Sequence, residues 1–229
     1  MSLFSRKKEV GLEEFCRDFY DNNILNPVIH GFDVGKAFFE TVVKTVEEAD
    51  PAFNKVDKER LIEELTILRF ELFALAWTHK FISGKTVIAQ SAFTKHYLLE
   101  KGRKDIWDGM DSYNKAIDGA TLHWLTNLGK MNLGFNYRMR EDLTAKNVEV
   151  AKKLGIDIDE TIERANYRLW SENAWKQKVI LAVIQSVLYK NLQFNPETLN
   201  DEALFRLAAV IKRLYDGAKE SIDGVRIKS

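Results

Sequence analysis

Apolar residues recur along this chain with the 3.6-residue period of a helix almost from end to end. The period-2 alternation of a half-buried strand is nearly absent, and no short apolar run sits between hairpin turns. The clearest block, LIEELTILRFELFALAWTHKF from Leu61, is apolar almost all round. It predicts a helix near 58–82 that occupies the centre of a bundle, with Asp57 at its start. A second block predicts a long helix over 85–118. Its face carries Ile88, Ala92, Leu99, Ile106, Met110, Tyr113 and Ile117. Gly102 and Gly109 lie inside it, and each marks a place for a kink or a close helix contact. A third long helix is predicted over 159–192, with Asp157 and Glu160 spaced as a capping box.

Shorter helices are predicted over 12–20, over 33–48 with Asp33 as cap, over 121–128 and over 141–154. KKLG supplies the last of these with lysines in its final turn and then Gly155. Asn195 and Pro196 open a final amphipathic segment carrying Leu204, Leu207, Ala208, Ile211, Leu214 and Tyr215. The predicted fold class is all-α, a single-domain helical bundle of about seven or eight helices. Residues 11–229 form that one domain, and residues 1–10 form a flexible basic N-terminus.

Composition narrows the function classes. The 229 residues are long enough to bury a substantial core. The 34 basic residues are balanced by 34 acidic ones. That balance removes the field of one sign that usually drives nucleic-acid binding. No run approaches the roughly 20 apolar residues of a transmembrane helix. The basic start, MSLFSRKKEV, lacks the apolar stretch of a secretory signal. The single Cys16 cannot form an internal disulfide, which accords with a reducing, cytoplasmic location. Glu13, Glu14 and Asp18 surround that thiol and oppose its ionisation, so Cys16 reads as a small half-buried helix residue.

Polar residues that interrupt apolar faces are the candidate functional positions. His79 falls within the cluster of Leu61, Leu65, Leu68, Leu72 and Leu75, and Arg69 falls between Leu65 and Ile62. A buried arginine needs a carboxylate or several carbonyls. Two readings follow: an internal ion pair with a satisfied core histidine, or a polar pocket for an anionic or hydrogen-bonding ligand. The stretch ANYRLWSENAWKQ, 165–177, raises a related choice: a pocket wall or partner interface, or a helix whose first half reaches past the core into solvent. Asn166, Asn173 and Gln177 project along the stripe of Ile162, Ala165, Leu169, Ile180, Val183, Ile184 and Val187, with Trp170 beside them. Amides on such a face need hydrogen-bond partners, which water, a ligand or another chain supplies.

Catalytic signatures are missing. There is no His-Glu-x-x-His, nucleophile elbow, phosphate loop or dinucleotide fingerprint. The Glu-x-x-His pairs of di-metal bundles are also missing. Glu71 and His79 are eight residues apart, or about 12 Å along a helix, too far to share an ion. His96 and Glu100 are suitably spaced but lie among Lys95, Lys101, Arg103 and Lys104. The loop 129–142 is basic and aromatic without a phosphate-binding spacing, and it reads as a connection.

The sequence therefore points to a soluble, non-enzymatic binding or interaction module, acting through a homo-oligomer or a protein partner. No catalytic residue, no metal site, no cofactor and no clear nucleic-acid binding are expected. The alternatives are a bundle with an internal polar ligand pocket, catalytic or not, and a carboxylate/histidine metal bundle. Arg69, His79, Asn166, Trp170, Asn173 and Gln177 are the ligand-binding or interface candidates.

Overall fold

The computed structural model describes residues 8–25, 28–29, 32–33, 40–41, 43–45, 47–48, 50, 55–81, 84–129, 175–176, 178–193 and 200–228; for residues 8, 28–29, 32–33, 84 and 121–129 it describes the backbone alone. The order is β1 (Lys8–Gly11), α1 (Leu12–Phe19), a π-helical turn (Tyr20–Leu25), β2 (Val28–Ile29) and β3 (Phe32–Asp33). Then come α2 (Lys58–Lys80), α3 (Gly84–Glu100), α4 (Lys104–Gly129), α5 (Val179–Asn191), α6 (Asp201–Asp223) and β4 (Val225–Lys228). The architecture is the all-α bundle that the periodicity implies. Among the described residues no helix is long and apolar enough to cross a membrane.

Helix α2 is the axis of the bundle. The Asp57 side chain accepts from the Glu59 and Arg60 amides, which satisfies donors that a helix start leaves open. Leu61, Leu65, Leu68, Leu72, Phe73 and Trp77 are all buried, so the helix meets neighbours on every side. At its far end the Lys80 ammonium donates to the Ile222 and Val225 carbonyls, where α6 terminates. A cation there suits the negative end of the α6 dipole. Asn200 caps the start of α6 by accepting from Ala203, and its own amide donates to Asp50.

The predicted helix over 85–118 is two helices, and Gly102 is the reason. Gly102 has φ +70, its amide donates to Leu99, and the Arg103 amide donates to Leu98. These are the paired bonds of a Schellman termination, with glycine at the left-handed position. The apolar stripe consequently changes phase. Ile106, Met110, Tyr113 and Ile117 are buried as expected, but Ile88 and Leu99 are 59% and 46% exposed. The inward face of α3 is instead Gln90, Phe93, Thr94, Tyr97 and Leu98. Helix α4 runs on to Gly129 and absorbs the separate helix predicted over 121–128. Gly109 makes the expected close contact: a Cβ placed there would lie 2.7 Å from Ile67 Cδ1.

Three other expectations change. Asp33 is a strand residue paired with Val28 and does not cap a helix beginning there. The chain's two ends pair in parallel, with Lys8 opposite Val225 and Gly11 opposite Lys228. Pairing between segments more than 200 residues apart leaves no periodic signal in runs this short. The predicted helix over 159–192 is interrupted at Lys178, which is left-handed at φ 64, and α5 starts after it. Cys16 is fully buried, and burial pushes its thiol up to about 12, with Glu13 adding to the effect. It is therefore inert at neutral pH. The predicted helix over 141–154, the loop 130–142 and the Asn195–Pro196 opening lie outside the described residues.

Candidate functional site

Three helical stripes converge on one cavity of about 510 Å³. Helix α2 contributes Glu71, Ala74 and Thr78, and α3 contributes Val87, Gln90, Ser91 and Thr94. Helix α4 contributes Trp107, Asp108, Met110, Asp111 and Asn114. Each set follows the three- and four-residue spacing of one helix face. The volume lies in the range of small-molecule sites.

One wall is a closed polar network. Gln90 Nε2 donates to the Tyr20 hydroxyl at 3.0 Å and to Thr94 Oγ1 at 2.9 Å. Thr94 donates its own proton to the Gln90 carbonyl, so the Tyr20 hydroxyl donates to Thr94 Oγ1 at 2.6 Å. All three side chains are buried. Satisfied networks of this kind rigidify the side chains they join. The π-helical turn is what brings Tyr20 to α3. A further bond, from the Tyr97 hydroxyl to Asp21 at 2.6 Å, holds the same two elements together.

Glu71 is the unusual member. It is only 5% exposed, yet no hydrogen bond or ion pair reaches its carboxyl among the described residues. Burial, then the fields of Asp118 and Asp111, push its pKa up to about 8. The side chain therefore keeps its proton well above the usual carboxylate range. Its acidic neighbours are differently placed. Asp108 pairs with Lys104 at 2.7 Å and Asp111 pairs with Lys115, both one helical turn away on the exposed side of α4. The Trp107 ring has the Lys95 ammonium 5.8 Å from its centroid.

Of the residues singled out from sequence, the two that are described, His79 and Arg69, fall elsewhere. His79 is buried, and its Nδ1 is hydrogen-bonded to the Tyr215 hydroxyl at 2.5 Å. Trp175 stacks on the Tyr215 ring at 4.4 Å, which makes this a packed aromatic junction between α2 and α6. Arg69 lines a second cavity of about 340 Å³ with Asn23, Arg213, Glu220 and Ser221, and burial lowers its pKa to about 10. Ten residues of helix, about 15 Å, separate Arg69 from His79, so these two do not share a pocket. Asn166, Trp170, Asn173 and Gln177 lie outside the described residues.

Tyr215→Phe removes the hydroxyl that satisfies His79 and keeps the ring that packs on Trp175. The expected result is a loss of about 1–2 kcal/mol in urea unfolding, the cost of a buried polar group that has lost one partner. A change below a few tenths would show that the bond contributes nothing net.

The sequence reading missed Glu71, Gln90 and Thr94 as site residues. For Glu71 a signal existed: a carboxylate in RFELFALA, in the middle of a helix apolar on all sides, must be buried. For Gln90 and Thr94 the signal was hidden by carrying the α4 stripe backwards through Gly102. Among the described residues no group of three or more His, Cys, Asp and Glu side chains is arranged to hold a metal ion. In comparisons with known proteins, no family model, no curated protein and no solved structure matches this chain.

Proposed function

We propose that this chain is a non-enzymatic binding protein whose occupant is a small molecule held in the cavity between α2, α3 and α4. The single observation that carries the reading is the Glu71 carboxyl, buried and without a partner among the described residues, on the wall of a space of about 510 Å³. A buried polar group in that condition costs stability, typically about 1–3 kcal/mol. Leucine would remove the penalty at little cost in volume. A ligand that pairs with the carboxyl recovers it.

The test is a fragment screen by ligand-observed NMR on the intact chain and on Ala74→Phe, which fills the cavity from α2. Fragments that bind the parent and lose binding to Ala74→Phe support the site. Fragments that bind both equally, or none that bind either, end this reading.

Association with a second copy or a protein partner is a second reading. It is favoured by Ile88 and Leu99, large apolar side chains exposed on the outer face of α3. Native mass spectrometry separates the two: a dimer mass favours association, and a monomer carrying extra mass favours the cavity.

A further inference from the structure

We infer that the cavity is selective for a primary organic ammonium ion, an alkyl- or arylalkylamine in its protonated form, with Glu71 as its counter-ion. The inference rests on the reading of the cavity as a small-molecule site and names the chemistry of the occupant.

Charge is the first argument. Among the described residues the lining carries three carboxyl groups, Glu71, Asp108 and Asp111, and no lysine, arginine or histidine. Asp118 adds a further negative field at Glu71. The basic groups nearby are engaged outside the cavity: Lys104 with Asp108, Lys115 with Asp111, and Lys95 over Trp107. An anion would meet repulsion from every charged group on the wall, whereas a cation completes the one carboxyl that lacks a partner.

Shape and hydrogen bonding narrow the class. An ammonium group has three donors and no acceptor. Facing it are the Glu71 carboxyl, the Ser91 hydroxyl and the side-chain amide oxygens of Gln90 and Asn114. A quaternary ammonium would leave those acceptors unused. Ala74, Val87 and Met110 provide an apolar surface for a hydrocarbon body, and Trp107 provides a ring whose face attracts cations. A bare divalent ion suits the site poorly, since no three ligand side chains converge among the described residues and most of the volume would stay unfilled.

Binding is then coupled to a proton. Burial favours the protonated Glu71 carboxyl when no cation pairs with it. The ammonium arrives protonated, the Glu71 O–H bond breaks, its proton leaves to solvent, and the ammonium–carboxylate pair remains. Affinity therefore rises with pH until the unliganded Glu71 is itself ionised, near pH 8, and falls again where the amine loses its proton, near pH 10 for an alkylamine.

The experiment is isothermal titration calorimetry on the full chain with n-butylammonium and phenethylammonium chloride, run at pH 6 and pH 8 in two buffers of different ionisation enthalpy. The expected result is binding that strengthens by about tenfold or more between the two pH values, with a buffer-dependent heat reporting release of a proton. Glu71→Gln keeps the shape and is expected to weaken binding by about tenfold or more and to abolish the proton release. Phenethyl alcohol and phenylacetate are the neutral and anionic controls. If the alcohol or the acid binds as well as the ammonium, or if Glu71→Gln binds ammonium as tightly as the parent, the cavity is a small-molecule site and the inference is wrong. If magnesium or calcium binds and displaces the ammonium, the site is a metal site and the inference is again wrong. If none of these probes binds, both the inference and the cavity reading fall.

Discussion

Glu71→Gln is expected to make this protein more stable by about 3 kcal/mol at pH 7 and by about 4 kcal/mol above pH 8, and to leave it nearly unchanged at pH 4. The carboxyl has an ordinary value of 4.5 and is pushed up to about 8 in the fold. The folded chain therefore holds this proton more tightly than the unfolded chain does. The stability that Glu71 contributes is fully present below pH 4.5 and is lost progressively as pH rises through 8. Above that, the fold must either keep a charge buried beside Asp111 and Asp118 or open to release it. Glutamine has the same shape and never ionises, so the decline disappears. Urea unfolding at pH 4, 6, 7 and 8.5 measures it directly. Parallel pH profiles for the parent and the variant would mean that the Glu71 carboxyl is solvated or paired in solution. The same measurement with n-butylammonium present links stability to the site: a bound cation should restore most of the parent's lost stability at pH 8.

Gly109→Val is expected to cost about 3 kcal/mol, at the upper end of what overpacking a helix contact costs. A Cβ at this position meets Ile67 Cδ1 at 2.7 Å, Cγ2 at 3.1 Å and Cγ1 at 3.3 Å. The terminal methyl of Ile67 can turn away, but Cγ2 is attached to a branched Cβ inside α2 and cannot follow it. Two forces oppose each other here. Removing glycine from a helix interior gains up to about 1 kcal/mol of backbone entropy, and the clash costs more. Ile67→Ala alone should also destabilise, by about 2–4 kcal/mol, because it leaves a void beside Gly109. The double variant should fall short of the sum by more than about 1 kcal/mol, because the valine occupies the space that the isoleucine vacates. Strict additivity would show that α2 and α4 do not touch at this pair. Since Trp107 and Asp108 precede Gly109 directly, the same contact sets how far the α4 wall of the cavity stands from Glu71.

The legible parts of this fold are those written within one helix. The all-round apolar composition of 61–81 marks the central position of α2, and Asp57 marks its start. Gly109 was readable as a place of close approach. His79 was readable as a residue inside the leucine cluster, where its partner is Tyr215. The cavity was not readable, for a specific reason. Its polar wall on α3, Gln90 and Thr94, occupies the face that a single helix over 85–118 turns outward. Only the break at Gly102 turns that face inward and exposes Ile88 and Leu99 instead.

What the sequence by itself determined was the helical class, the central helix and the points at which helix geometry is stressed. All of these depend on periodicity and on the conformational preferences of residues close together in the chain. What only the tertiary structure decided was the phase of α3 relative to α4, the pairing of the two chain ends and the meeting of three polar stripes around Glu71. A helical period carries no information past a left-handed residue such as Gly102 or Lys178, because the next helix begins with its own rotation. The orientation of one helix face toward another is set by packing between residues distant in the chain, and it is that packing which leaves one carboxyl buried without a partner.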